Sequence, residues 1–62
     1  MTHKPLYRLQ TVNRNVFIDL DSVESIVPNN NGKLYKVNFN NGSTSKLIRC
    51  NTKLKLEIAL QV

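Results

Sequence analysis

Hydrophobic and polar positions alternate along most of this chain, and the alternation predicts strands. In Leu6 to Val12, Tyr7 and Leu9 take one face while Arg8 and Gln10 take the other. Asn13-Arg14-Asn15 reads as a tight polar turn. Val16, Ile18 and Leu20 then share a face opposite Phe17 and Asp19. The two segments predict a hairpin. Asp21-Ser22-Val23-Glu24 has the spacing of a capping box, with Asp21 as cap and Glu24 three residues on, so one helical turn or bend is expected over 21–24. Extended structure resumes at Ser25-Ile26-Val27, and Pro28, which cannot donate to a ladder, is expected to stop it.

The second half begins with a turn signal, Asn29-Asn30-Asn31-Gly32. Leu34 to Phe39 alternates, with Tyr35, Val37 and Phe39 against Lys36 and Asn38. Asn41-Gly42 follows and predicts a two-residue type I′ hairpin, because both central residues of that turn need positive φ. Ser43 to Cys50 is the expected return strand. The end of the chain pulls two ways. Leu54, Leu56, Ile58, Leu60 and Val62 alternate strictly with Lys53, Lys55, Glu57, Ala59 and Gln61. That period of two is a strand signature, and a helix would scatter the five apolar residues around its circumference. Leu, Lys, Glu and Ala favour helix by propensity, and Asn51 could cap one. The pattern favours a strand over residues 52–62.

The sequence thus predicts an all-β fold: a five-stranded antiparallel meander or small barrel over residues 6–62, behind a flexible tail at residues 1–5. No repeat or linker divides it. The Asn clusters are short and coincide with turns, where Asn tolerates positive φ.

Size adds a constraint. A chain of 62 residues supports a core worth only roughly 3–5 kcal/mol, and domains of this size commonly need a staple. One Cys and one His supply neither a disulfide nor a zinc site. Elimination predicts a homo-oligomer or docking on a partner. The lone cysteine suits a reducing compartment, so a cytoplasmic location is expected. No segment approaches the ~20 apolar residues of a membrane span, and no apolar run near the N-terminus has the length of a signal peptide.

Candidate chemistry is sparse. Asp19 and Asp21 would share a strand face about 7 Å apart, but no third ligand accompanies them, so a strand end and a turn cap are the simpler assignment. His3 lies in the tail, where nothing fixes it for catalysis. Cys50 ends a strand and is expected to be buried and inert. No P-loop, nucleotide fingerprint or Ser/His/Asp arrangement occurs. The expectation is a non-enzymatic binding module without a cofactor.

Charge changes the picture most. The formal net charge is +5, from nine Lys and Arg against four acids. Such a balance attracts nucleic acid, acidic proteins or anionic surfaces, and also serves solubility alone. Arg8, Lys36, Lys53 and Lys55 fall on the polar faces of the expected strands, and Arg14 and Lys33 in loops. If the sheet gathers them, these six residues form a phosphate-tracking stripe. Phe17 is the one aromatic expected on an outer face.

The run Val16-Phe17-Ile18-Asp19-Leu20-Asp21-Ser22-Val23-Glu24-Ser25-Ile26, a polar turn, Leu34-Tyr35-Lys36-Val37-Asn38-Phe39 and then Asn41-Gly42 resembles the first half of LytTR-type DNA-binding domains. It is also similar to small flagellar FlbD-type proteins. The likeness spans residues 6 to 50 and is one of rhythm: strand, turn, short bend, strand, Gly turn, strand. LytTR-type domains are longer, and both families continue into a helix where this chain alternates. No functional residue is carried across. Two functions follow as expectations. One is a basic nucleic-acid-binding regulatory protein using Arg8, Arg14, Lys33, Lys36, Lys53 and Lys55. The other is a small protein–protein effector or inhibitor of the phage host-takeover or anti-defence kind, docking on a larger protein partner through a sheet edge.

Overall fold

The first two alternating segments pair as β1 (Tyr7–Gln10) and β2 (Asn15–Ile18) in a computed structural model that describes residues 6–61. The expected tail at residues 1–5, with His3, lies outside the described residues, as does Val62. Tyr7 opposes Ile18, Arg8 opposes Phe17, Leu9 opposes Val16 and Gln10 opposes Asn15. Leu9 and Ile18 are buried, so Tyr7, Leu9, Val16 and Ile18 form the inner face. Thr11 builds the turn. Its hydroxyl donates to the Arg14 carbonyl at 2.6 Å and accepts from the Arg14 amide at 3.1 Å.

A 3-10 turn at Leu20–Ser22 follows. Its cap is Asp19, two residues before the expected Asp21. Asp19 Oδ1 accepts from the Asp21 amide at 3.0 Å, and Oδ2 accepts from the Ser22 hydroxyl at 3.3 Å. Glu24 belongs to the next strand instead of closing a capping box.

The remaining strands are β3 (Val23–Asn29), β4 (Leu34–Phe39) and β5 (Lys46–Arg49), antiparallel in the order β3-β4-β5. Pro28 sits within β3 rather than ending it. β3 is an edge strand, where a missing N–H need not break a ladder. The positive-φ turn falls at the other Asn cluster. Asn30 and Asn31 have φ of 52° and 57°, and the Gly32 amide donates to the Asn29 carbonyl at 3.1 Å. At Asn41-Gly42 only the glycine has positive φ. That connection is a longer loop, in which Asn41 Oδ1 accepts from the Ser43 amide, and β5 starts at Lys46 rather than Ser43.

The largest departure is at the C-terminus. Residues Cys50–Gln61 form a helix, α1, where the alternation predicts a closing strand. The fold is therefore a mixed α/β domain, a two-stranded and a three-stranded sheet with a C-terminal helix, and the all-β meander or barrel is overturned. Propensity prevails over pattern here because the core asks for little from this segment. Leu56 alone is fully buried, joining Leu9, Ile18, Val37 and Ile48 in one cluster. A single inward residue is compatible with any periodicity. Lys53 reinforces the helix: its Nζ lies 3.4 Å from Glu57 Oε2 one turn on, and 4.8 Å from the centre of the Tyr35 ring.

The inner face of the three-stranded sheet, with Ile26, Tyr35, Val37 and Ile48, thus packs against Leu9 and Ile18 of the hairpin and Leu56 of α1. One backbone hydrogen bond, from the Val12 amide to the Leu47 carbonyl at 3.0 Å, ties the end of the hairpin to β5. This arrangement leaves the hairpin's outer face uncovered.

Candidate functional site

The hairpin's outer face carries Arg8 directly opposite Phe17, and Gln10 directly opposite Asn15. Directly opposed residues have Cβ atoms roughly 4.5–5.5 Å apart, within reach of each other's side chains. Both Arg8 and Phe17 are exposed, and Phe17 at 68% is the most exposed large apolar residue among those described. The strand register holds the Phe17 ring outward, on the same face as Arg8.

Two more of the sequence-derived basic residues flank the hairpin. Lys55, on α1, lines one shallow depression with Arg8, Gln10 and Asn15. Arg14, at the hairpin tip, lines a second with Lys46. The other three lie apart. Lys36 is on the outer face of the three-stranded sheet, paired with Val27 on β3 and Leu47 on β5. Lys33 sits in the β3–β4 turn. Lys53 is engaged with Glu57 and Tyr35. On a strand Lys53 and Lys55 would share a face, but on a helix two residues apart stand about 200° apart. The single six-residue stripe is not assembled: Arg8 and Lys55 share one depression, and Arg14 lies in another with Lys46.

Lys46 was missed. It lines both the Arg14 depression and a groove on the other side of β2. Period two gave no sign of it, since alternation puts Lys46 on the same face as the buried Ile48. The groove, of about 310 Å³, runs between β2 and the segment from Phe39 to Lys46.

The remaining candidates resolve simply. Asp19 is a turn cap. Cys50 is exposed and opens α1, contrary to the expectation of a buried strand-end thiol. Among the described residues no three His, Cys, Asp or Glu side chains cluster as metal ligands, and no helix is long and apolar enough to cross a membrane. Neither protein-family models, nor curated proteins, nor solved structures give a match to this chain. Its own geometry must carry the functional argument.

Proposed function

We propose that this protein is a basic, non-enzymatic nucleic-acid-binding module that contacts its ligand through the outer face of the β1–β2 hairpin. The observation that carries the reading is the Arg8–Phe17 cross-strand pair, with Lys55 beside Arg8 and Arg14 in the turn of the same hairpin. A guanidinium next to an exposed ring serves a phosphate and a base at once. The net charge of +5 supplies long-range attraction. A helix after β5 is also what the LytTR-type and FlbD-type pattern has at that point, which adds support. A lone exposed cysteine fits a cytoplasmic setting.

Salt dependence tests the reading. Affinity for a mixed-sequence oligonucleotide is expected to fall linearly with salt on logarithmic axes. The combined variant Arg8→Ala, Arg14→Ala, Lys55→Ala should flatten that slope by about two units, at roughly 0.7 per lost phosphate contact on a single strand. The matched variant Lys33→Ala, Lys36→Ala, Lys53→Ala should flatten it less. A salt-indifferent affinity, or the reverse ranking of the two variants, overturns the hairpin assignment.

A second reading, a protein-docking module that self-associates, rests on α1. Leu54 and Ile58 lie one turn apart on the side away from Leu56 and are 50% and 64% exposed. Covering them with a second copy would give a small domain the added burial it lacks. Light scattering should then show a concentration-dependent dimer that Leu54→Gln with Ile58→Gln returns to monomer. A wild-type monomer across the whole concentration range rules out self-association.

A further inference from the structure

We infer that the groove between β2 and the Phe39–Lys46 segment seats an unpaired nucleobase, so that the ligand is single-stranded nucleic acid rather than a duplex; this deepens, and rests on, the nucleic-acid reading above. Its lining mixes ring-bearing apolar side chains with polar ones. Phe17 and Leu6, 68% and 60% exposed, line it together with the half-buried Phe39. Its polar lining consists of short hydrogen-bonding side chains, Asn41 and Ser43, with Lys46 as the cation. A flat ring on Phe17, its edge met by amide and hydroxyl groups, and a phosphate on Lys46 is the ligand this set of groups fits.

Asp19 also lines the groove, and a carboxylate there would oppose a phosphate. Both of its oxygens are already accepting, Oδ1 from the Asp21 amide and Oδ2 from the Ser22 hydroxyl. The side chain is thereby fixed to the 3-10 turn. Arg8, directly across the hairpin from Phe17, brings a second cation to the face next to the groove.

Strand state follows from access to the base face. In a duplex each base is stacked between neighbours, so a protein ring reaches a base face only after unstacking, at a cost of a few kcal/mol. A single strand offers its faces freely, and aromatic platforms beside cations are the usual means of holding it. A peptide strand added to the edge of β2 is the competing occupant. That edge is only four residues long, Asn15–Ile18, which limits the backbone pairing available to a peptide, and nothing in pairing explains the ring and cations around it.

The test uses the full chain and fluorescence anisotropy with three probes of one mixed sequence: single-stranded DNA, single-stranded RNA and duplex DNA. Either single strand should bind more tightly than the duplex, and the two arms tell which sugar is preferred. Phe17→Ala should weaken single-strand binding roughly 5- to 150-fold, the effect of removing one stacking platform. Phe17→Tyr, which keeps the ring, should stay close to wild type, and Lys46→Ala should weaken binding and flatten its salt slope. Phe17 is exposed, so the alanine variant should keep the wild-type circular dichroism spectrum. Duplex binding that equals or exceeds single-strand binding, or an unchanged single-strand affinity in Phe17→Ala, overturns the base-seating groove while leaving the nucleic-acid reading in place. Failure of all three probes to bind removes both and turns the β2 edge over to a peptide partner.

Discussion

Leu56→Ala is expected to leave the domain largely unfolded at 25 °C. Leu56 is the one fully buried residue of α1, and it closes a core whose other fully or nearly fully buried members are Leu9, Ile18, Val37 and Ile48. Truncating a buried leucine costs about 2–5 kcal/mol, through lost transfer free energy and the cavity left behind. A domain of this size has roughly 3–5 kcal/mol to lose. Leu54→Ala makes the matched control, because Leu54 is half-exposed on the opposite side of the helix. It should change stability by no more than about 0.5 kcal/mol, as surface substitutions do. Urea melts followed by far-UV circular dichroism measure both. The pair also decides between helix and strand directly. On a strand, residues 54, 56 and 58 share a face and their truncations cost alike. On α1 only position 56 is expensive, so equal costs at 54 and 56 would overturn the helix.

That contrast shows where sequence patterning stopped being informative. Alternation located the hairpin and the strand Leu34–Phe39 because those strands bury one face and expose the other, and a period of two records that division. In β1, Leu9 is buried while Arg8 and Gln10 are exposed. α1 does not divide its surface in that way. It turns Leu56 inward and leaves Leu54 and Ile58 in solvent, so its apolar residues record no face at all. With no stripe to read, intrinsic propensity was the better guide, and in the fold the Lys53–Glu57 pair adds to it.

The basic residues followed the same logic. Arg8 and Arg14 were placed by the hairpin, whose register is set locally. The expected company of Lys53 and Lys55 depended on the period assigned to the last segment, and changing the period from two to 3.6 separates them. Phe17 was legible as an outward aromatic. Its pairing with Arg8 was not, since cross-strand partners depend on the turn, and Thr11 closes a connection one residue longer than the Asn13-Arg14-Asn15 turn implied. Lys46 was hidden for a related reason. Its strand begins three residues later than the Asn41-Gly42 signal suggested, which moves it from mid-strand to the rim of the groove.

Replacing both Asn30 and Asn31 with Val is expected to destabilise the domain by about 2–4 kcal/mol. Both residues adopt left-handed φ, at 52° and 57°, where an L-residue meets a penalty of roughly 1–2 kcal/mol that asparagine softens through local hydrogen bonding. A β-branched side chain has no such compensation and is a steric outlier there. The turn also holds the β3–β4 ladder together at its far end. The Gly32 and Lys33 amides donate to the Asn29 and Asn30 carbonyls, each at 3.1 Å, and Asn29 Oδ1 accepts from the Asn30 amide at 2.8 Å. These bonds bring Asn29 opposite Leu34 and so fix the register that turns Ile26, Tyr35 and Val37 inward. A slip of one residue would send that whole set to the solvent face. Asn41→Val is the control. Asn41 does not have positive φ, so it should lose only its side-chain bond to the Ser43 amide, a contribution of about 0.5–1.5 kcal/mol. Denaturant midpoints at constant m measure both. A single Asn41→Val substitution that costs as much as the double variant would place the sharp turn of this fold at Asn41-Gly42, against the register described above.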